Sequence, residues 1–130
     1  MATIFTRIIQ GEIPCYKIAE DECFFAFLDI NPLAEGHTLV VPKHETDYLF
    51  NLDDEELAQM MVFAKKVAAA IEKAIPCKRI GVAVIGLEVP HAHIHLVPIT
   101  CEGDLDFKKE HLKLSHEAFV AIQQKITSAF

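Results

Sequence analysis

Three histidines stand at every second position in VPHAHIHLVP, residues 89–98. Side chains alternate between the two faces of a β-strand, so His91, His93 and His95 are predicted to share one face, with the residues between them facing the core. A neutral imidazole can attack phosphorus, hold phosphate oxygens and transfer a proton to a leaving group. Adjacent rings also disfavour each other's positive charge, which favours a neutral nucleophile near pH 7. The spacing therefore indicates nucleophilic chemistry.

Two other interpretations of these histidines stay open. One is a solvated strand face, although three of the chain's seven histidines are an improbable choice for it. The other is a metal site, because a His-x-His pair on a strand is a known ligand arrangement. The outer two rings would lie about 13 Å apart along an extended strand, so only two of the three could share an ion. Further ligands would have to come from His37, His44 or a cysteine.

Hydropathy patterns predict the elements that position these residues. The predicted strands cover residues 24–28, 37–41, 81–85 and 92–97. An apolar stripe over residues 57–71, with Met60 and Met61 in the core, predicts a long helix capped by Asp53. Another helix is predicted from Ser115 to Phe130. We expect an α+β fold, an antiparallel sheet of about five strands with two main helices, as one domain over residues 1–130.

Composition narrows the class of protein. Twelve basic and nineteen acidic residues give a net charge of −7, which opposes general binding of nucleic-acid polymers. No apolar run approaches the roughly 20 residues that cross a bilayer, and the first residues lack the pattern of a secretory signal, which predicts a cytoplasmic protein. The four cysteines are dispersed without a Cys-x-x-Cys pair. A small anionic substrate is compatible with this composition.

The motif His-Ala-His-Ile-His-Leu-Val resembles the signature of the histidine triad family of nucleotide hydrolases and transferases. Two upstream segments, IFTRIIQGEIP and FLDINPLAEGHTLVVPKHE, resemble further blocks of the family's nucleotide-binding branch in the same order. The resemblance covers roughly residues 4–98 and implies the family's fold. It also implies an enzyme, without a cofactor, that acts on the α-phosphate of a purine nucleotide phosphoramidate, ester or dinucleoside polyphosphate.

The resemblance implies roles for individual residues. His93 would attack the α-phosphorus and form a nucleotidyl-histidine intermediate. His95 and His91 would support the phosphate and the attacking ring, and His37 would complete the imidazole network. Asp29 would accept hydrogen bonds from both ribose hydroxyls. The residues that match the apolar slot for the base are Phe5, Ile8, Ile13, Phe27 and Ile30.

The metal site of many bacterial relatives is altered in this chain. Those relatives bind structural zinc through Cys-Ile-Phe-Cys and two histidines, whereas the matching stretch here is Thr3-Ile4-Phe5-Thr6. His44 and His91 would be the remaining histidines of that site. The sequence therefore predicts no metal.

The segment before the triad, GVAVIGLEVPH, also departs from the family pattern. It looks several residues shorter than the usual loop, and Glu88 stands where a hydroxyl is common. Main-chain N–H groups near Gly86 are expected to cradle phosphate, but one oriented donor is missing. Loss of such a donor costs about 10²–10³ in turnover. A nucleotide-binding regulatory or interaction protein with little turnover is therefore the second candidate function, and a metal-dependent protein is the third.

Relatives form homodimers through the long helix and a sheet edge, so the resemblance predicts a homodimer. Phe50 and Phe63 are candidates for facing the partner, although Phe63 could equally be core. Two histidines near the end of the chain, His111 and His116, stand among charged residues in KKEHLKLSHE. Both are expected at the surface.

Overall fold

A five-stranded antiparallel sheet forms the centre of the computed structural model, which describes residues 2–130. The strands are β1 (Lys17–Glu20), β2 (Phe24–Leu28), β3 (Thr38–Pro42), β4 (Arg79–Ala83) and β5 (Ile94–Ile99). Their order across the sheet is β1-β2-β3-β5-β4. The histidine-bearing β5 is thus an inner strand, and β4 forms one edge. This arrangement confirms the predicted fold class.

Three α-helices accompany the sheet. They are α1 (Ile4–Ile9), α2 (Asp54–Ala74) and α3 (His116–Thr127), and short 3-10 helices cover Leu49–Asn51 and Glu102–Leu105. Both predicted caps are confirmed, because Asp53 accepts the N–H of Glu56 and Ser115 accepts an N–H in the first turn of α3. Helix α3 ends at Thr127, whereas the sequence predicted an end at Phe130. Within residues 2–130, no helix is long and apolar enough to span a membrane.

Two apolar clusters cover the two faces of the sheet. The larger one packs α2 and α3 against the sheet and includes Ala92, Ile94 and Leu96. The smaller one consists of Phe5, Phe25, Phe27, Leu39 and Val41. Phe5 lies edge-on against the rings of His91 and His93, so the histidines occupy the face of the smaller cluster. The predicted alternation in the histidine segment is confirmed.

Two features of the core differ from the sequence-based expectation. Strand β1 has no counterpart among the predicted strands, because in KIAE only Ile18 is fully buried and both ends are charged and exposed. Met60 is buried as expected, but Met61 is 45% exposed. Met61 lies beside Val62 and Val82 at the rim of α2 and β4, outside the stripe that faces the sheet.

The strands next to the site begin and end at other residues than predicted. Strand β4 ends at Ala83, so the predicted continuation through Ile85 is wrong. Strand β5 begins two residues later than predicted, at Ile94. The reason lies in β3, where Pro42 has no N–H for a ladder and its carbonyl accepts a hydrogen bond from the His91 ring at 2.8 Å. Before the ladder starts, the chain is held by this ring bond and by the N–H of Ala92, which donates to the carbonyl of Thr46 at 2.6 Å.

Gly36 provides a test of how tightly the turn before β3 is packed. It has φ +94°, and a Cβ would lie 3.1 Å from Ile75 Cγ1 and 3.3 Å from Pro98 Cγ. We expect Gly36→Ala to lower the free energy of unfolding by roughly 2–4 kcal/mol, combining left-handed strain with overpacking. Gly11→Ala is the control, since Gly11 has φ +84° but open space around it, and should cost about 1–2 kcal/mol. Urea unfolding measures both, and equal losses would contradict the packing argument.

Candidate active site

The predicted histidines form one continuous cluster on the sheet face that carries Phe5 and Phe27. The strand register places these residues on one face, because Phe27 lies opposite Leu39 and Leu39 lies opposite His95. Ring centroids are 5.0 Å apart between His93 and His95, and 5.2 Å apart between His95 and His37. All these histidine rings are buried. The fold therefore brings together residues that are 58 positions apart in the chain.

Asp29 lies at the end of this cluster, immediately after β2. Its Oδ2 is 3.5 Å from His37 Nε2, and its Oδ1 accepts the N–H of Asn31 at 2.8 Å. Its own N–H donates to the carbonyl of His37 at 2.9 Å. Burial raises the pKa of the Asp29 carboxyl, although the Asn31 N–H and the nearby His111 and His93 act in the opposite direction. The predicted ribose-binding residue is thus placed beside the imidazole network.

The hydrogen bonds around His37 determine which ring nitrogens carry protons. The N–H of Leu33 donates to His37 Nδ1 at 3.0 Å, so the proton of the neutral ring is on Nε2. That N–H donates to His95 Nδ1 at 3.0 Å, which leaves the His95 proton on Nε2. Burial, with the neighbouring rings, lowers the pKa of His37 to about 3 and that of His95 to about 4. Both rings are neutral at pH 7, and His95 Nε2–H remains a hydrogen-bond donor.

His93 is held in the opposite tautomer. Its Nδ1 lies 2.8 Å from the main-chain oxygen of His91. Since a carbonyl oxygen only accepts, Nδ1 carries the proton of the neutral ring and the lone pair is on Nε2. No other group within residues 2–130 hydrogen-bonds the ring. The central histidine therefore presents the unprotonated nitrogen that nucleophilic attack requires.

The ring of His91 connects two other segments of the chain, at Thr3 and Pro42. It is fully buried, its Nε2–H donates to the carbonyl of Pro42 at 2.8 Å, and its Nδ1 accepts the hydroxyl of Thr3 at 2.7 Å. Burial lowers the pKa of this ring, in keeping with a neutral imidazole. Both ring nitrogens of His91 have protein partners, so neither is available to a phosphate oxygen. The expected support of the attacking ring fits this geometry, but the expected support of the phosphate does not.

The residues at the zinc position of bacterial relatives do not fit that ion. Threonine hydroxyls are not zinc ligands, and both nitrogens of His91 already have protein partners. The Thr6 hydroxyl donates to Glu45 Oε1 at 2.7 Å, and His44 pairs with Glu56 at 2.7 Å. A network of side-chain hydrogen bonds occupies this place.

A second possible ligand group consists of Asp29, His37 and His95, whose donor atoms lie within 4.8 Å of one another. It also fits a metal poorly. Because Leu33 N–H occupies Nδ1 of His37, the proton of that ring is on Nε2, and the nitrogen facing His95 has no lone pair for an ion. The donor set is that of a hydrogen-bonded imidazole chain.

The residues expected to line the base slot differ in exposure. Phe5 and Phe27 are buried and pack edge-on at 5.5 Å between centroids, and Ile8 packs half-buried against their cluster. Ile13 is half-buried. Ile30, next to Asp29, is 74% exposed. The buried rings can form a wall of the slot, while Ile30 is free to contact a ligand.

The loop before the triad is largely exposed to solvent. Gly86 has φ +71°, a left-handed conformation that turns the chain after β4. Glu88 is exposed and forms no ion pair with any residue in 2–130. Lys43, one of its expected cationic partners, pairs with Glu20 at 2.8 Å.

Two residues of the C-terminal segment join the site without any signal in the sequence. The Phe107 ring packs edge-on against His95 and His37, with centroids 4.7 and 6.0 Å away. His111, expected at the surface, is half-buried and its Nδ1 lies 2.7 Å from the carbonyl oxygen of Asn31. His116 is exposed as expected, and its Nδ1 lies 2.8 Å from the Tyr16 hydroxyl. A lone aromatic and a histidine within a charged stretch have no periodicity that would indicate such contacts.

Comparison with known proteins agrees with this geometry. The family model of the HIT domain matches residues 10–100. A HIT-like protein of Borreliella burgdorferi is 36% identical over 132 residues, which cover 95% of both chains. The adenosine 5'-monophosphoramidase HNT1 of Saccharomyces cerevisiae is 40% identical over 98 residues, which cover 75% of this chain and 62% of the yeast protein.

Comparison with a solved structure shows that the fold is also that of a HIT-like protein. The crystal structure of a HIT-like protein involved in cell-cycle regulation from Bartonella henselae superposes with a TM-score of 0.84 at 31% identity. The match covers 98% of this chain and 96% of the other. The histidine cluster, the matched domain and these relatives together show that the chain belongs to the HIT, or histidine triad, family.

Proposed function

We propose that the protein hydrolyses a purine nucleoside monophosphate derivative through a covalent intermediate on His93. The observation that carries the proposal is the hydrogen bond from His93 Nδ1 to the His91 carbonyl, because it leaves Nε2 unprotonated beside the His95 donor. Membership of the HIT family and the identity to the yeast phosphoramidase support a nucleotide hydrolase. A phosphoramidate is the substrate class that this relative favours.

The reaction proceeds in two displacements. In the first, the Nε2 lone pair of His93 forms a bond to the α-phosphorus while the bond to the leaving amine or oxygen breaks. In the second, water attacks the same phosphorus and releases a proton to the solvent, the N–P bond breaks, and the nucleoside monophosphate leaves with neutral His93 restored. His95, with a pKa of about 4, acts as a donor to a phosphate oxygen through Nε2–H, and the leaving amine takes its proton from water. Charge developing on that oxygen is stabilised in a buried environment, where hydrogen bonds are strong.

Asp29 supplies recognition of the sugar. An ionised carboxylate has acceptor sites for both ribose hydroxyls. Asp29 Oδ1 is held by the N–H of Asn31, and Oδ2 lies 3.5 Å from His37 Nε2. The exposed side chain of Ile30 then provides an apolar contact for the base. These residues fix the distance between the nucleoside and His93, which is what an efficient displacement needs.

The open loop favours the second candidate function, a nucleotide-binding protein with little turnover. Glu88 is exposed and has no cationic partner among residues 2–130, and Leu87 beside it is 88% exposed. A carboxylate near the leaving group would repel a charged phosphate tail. Tight binding of adenosine monophosphate without product formation would favour this function.

The first experiment compares His93→Ala with the wild type. With an adenosine phosphoramidate or a fluorogenic nucleotide ester, we expect turnover to fall at least about 10⁴-fold in the variant, since loss of a nucleophile removes the covalent route. Mass spectrometry of quenched wild-type protein should detect a nucleotidyl adduct on His93. His44→Ala is the matched control, because that ring is exposed and pairs with Glu56 outside the cluster. Equal turnover by wild type and His93→Ala would refute the assignment.

We further propose that the protein is a homodimer paired through α2 and the edge strand β4. An apolar groove lies between them, lined by Met61, Val62, Ala64, Lys65, Ala68, Val82 and Leu96. Met61, Val62 and Val82 are about half exposed, and β4 has an unpaired edge, which proteins usually cover. Of the two candidates from the sequence, Phe63 is buried against Phe24 and Phe50 packs on Tyr48 away from this groove.

Light scattering after gel filtration tests the dimer. We expect the wild type to elute at twice the chain mass and Val82→Lys to elute as a folded monomer, because the charge would be desolvated in the interface. Phe50→Lys is the control with an even more exposed apolar residue outside the groove, and it should remain dimeric. A monomeric wild type, or a dimer lost only in Phe50→Lys, would contradict the proposed interface.

We also propose that the protein carries no structural zinc. The support is the Thr3–His91 hydrogen bond, which uses the nitrogen that a zinc ion would need. Elemental analysis of protein purified without a histidine tag should give well under one zinc per chain. The melting temperature should be the same with and without a chelator. One tightly held ion per chain, whose removal lowers the melting temperature, would show the proposal to be wrong.

A further inference from the structure

His111 lies between two main-chain oxygens. Its Nδ1 is 2.7 Å from the carbonyl oxygen of Asn31, and its Nε2 is 3.0 Å from the carbonyl oxygen of Phe107. Carbonyl oxygens only accept hydrogen bonds, so each contact needs a proton on the ring nitrogen, and a neutral imidazole has only one. Both hydrogen bonds therefore form together only when His111 is an imidazolium.

The two bonds connect the C-terminal segment to the nucleotide side of the site. The N–H of Asn31 donates to Asp29 Oδ1 at 2.8 Å, so the His111 bond to the Asn31 carbonyl holds the turn that carries the ribose acceptor. The ring of Phe107 packs against His95. A parallel main-chain bond runs from Leu112 N–H to the carbonyl of Pro32 at 2.8 Å. His111 thus fastens residues 107–112 to this turn.

The charges around His111 agree with a cationic ring. The hydrogen bonds to the Asn31 and Phe107 carbonyls raise its pKa, the Asp29 carboxylate adds to this, and Lys109 and partial burial oppose it. In return, His111 lowers the pKa of Asp29, which favours the ionised carboxylate. It also lowers the pKa of His37, whose ring stays neutral. A cationic His111 thus favours both the ionised carboxylate of Asp29 and the neutral ring of His37.

We propose that His111 is a positioning residue of the nucleotide site, which as an imidazolium clamps residues 107–112 onto the Asn31–Pro32 turn and keeps Asp29 placed for the ribose. This role rests on the proposed function for the identity of the substrate. Since His111 contacts the turn and not the reacting atoms, its loss should affect nucleotide binding and KM more than kcat.

The pH dependence follows from the sign of the shift. The folded-state pKa of His111 is raised above that of the unfolded chain, so the clamp contributes fully below about pH 6.5. It is lost as the pH rises through the folded-state value. His37 and His95, with pKa values of about 3 and 4, do not titrate in this interval. We therefore expect KM for the nucleotide to increase as the pH rises from about 6 to 8.

The first experiment is an NMR titration of the histidine rings in the nucleotide-free wild type, which does not depend on turnover. His111 should titrate above its ordinary value of about 6.5 and show protons on both ring nitrogens below it. The second is the variant His111→Asn, whose amide can keep a bond to the Asn31 carbonyl but loses the charge and the bond to Phe107. We expect KM, or the dissociation constant for adenosine monophosphate by calorimetry, to rise about 5- to 10-fold at pH 6.

His116→Gln is the matched control, because His116 is an exposed histidine bonded to Tyr16. It should keep the wild-type affinity and pH dependence, whereas His111→Asn should show a flat profile from pH 6 to 8. Titration of His111 at or below its ordinary value would overturn the proposal, even if the variant failed to fold. Unchanged affinity and pH profile in a folded His111→Asn would also overturn it. Absence of turnover in the wild type would instead refute the proposed function, with calorimetry still deciding the role of His111.

Discussion

One hydrogen bond, from His93 Nδ1 to the carbonyl of His91, determines the chemistry of this site. It places the proton on one nitrogen and the lone pair on the other, and it works only if the His91 carbonyl is held still. That carbonyl belongs to a residue whose ring is bound at both nitrogens, to Thr3 and Pro42. The N-cap residue of α1 and the end of β3 therefore support the His93 ring through the buried ring of His91.

Several imidazole rings can pack side by side in this cluster because they are buried in the neutral state and their buried polar atoms are hydrogen-bonded. Taking an ionised group from water into the interior is costly, so burial lowers the pKa of His37, His91 and His95. The polar atoms nevertheless need partners. No buried side-chain nitrogen or oxygen within residues 2–130 lacks one. Neutral rings in alternating donor and acceptor roles satisfy both conditions. At the edge of the cluster, the Asp29 side chain stays partly exposed, and the nearby His111 lowers the pKa of its carboxyl.

Hydropathy and turn residues predicted most of the sheet and both main helices, because β2 and β3 are continuous buried runs between turns and α2 buries a regular stripe. The resemblance to the histidine triad family, and not periodicity alone, placed His37 beside the triad. Hydropathy missed β1, where a single buried side chain makes no pattern, and it placed the start of β5 too early because the bond between His91 and Pro42 is not local. The contacts of Thr3 with His91 and of Asn31 with His111 span 88 and 80 residues. Such pairings depend on tertiary geometry and have no local signature, so the supporting part of the site became visible only in the structure.

The hydroxyl of Thr3 has a consequence beyond the geometry of the site. An alcohol bonded to an imidazole contains no sulfur that an oxidant could attack. None of the four cysteines is in a disulfide, and neither partner of the His91 ring contains sulfur. The hydrogen bonds that hold this ring are therefore insensitive to thiol oxidation.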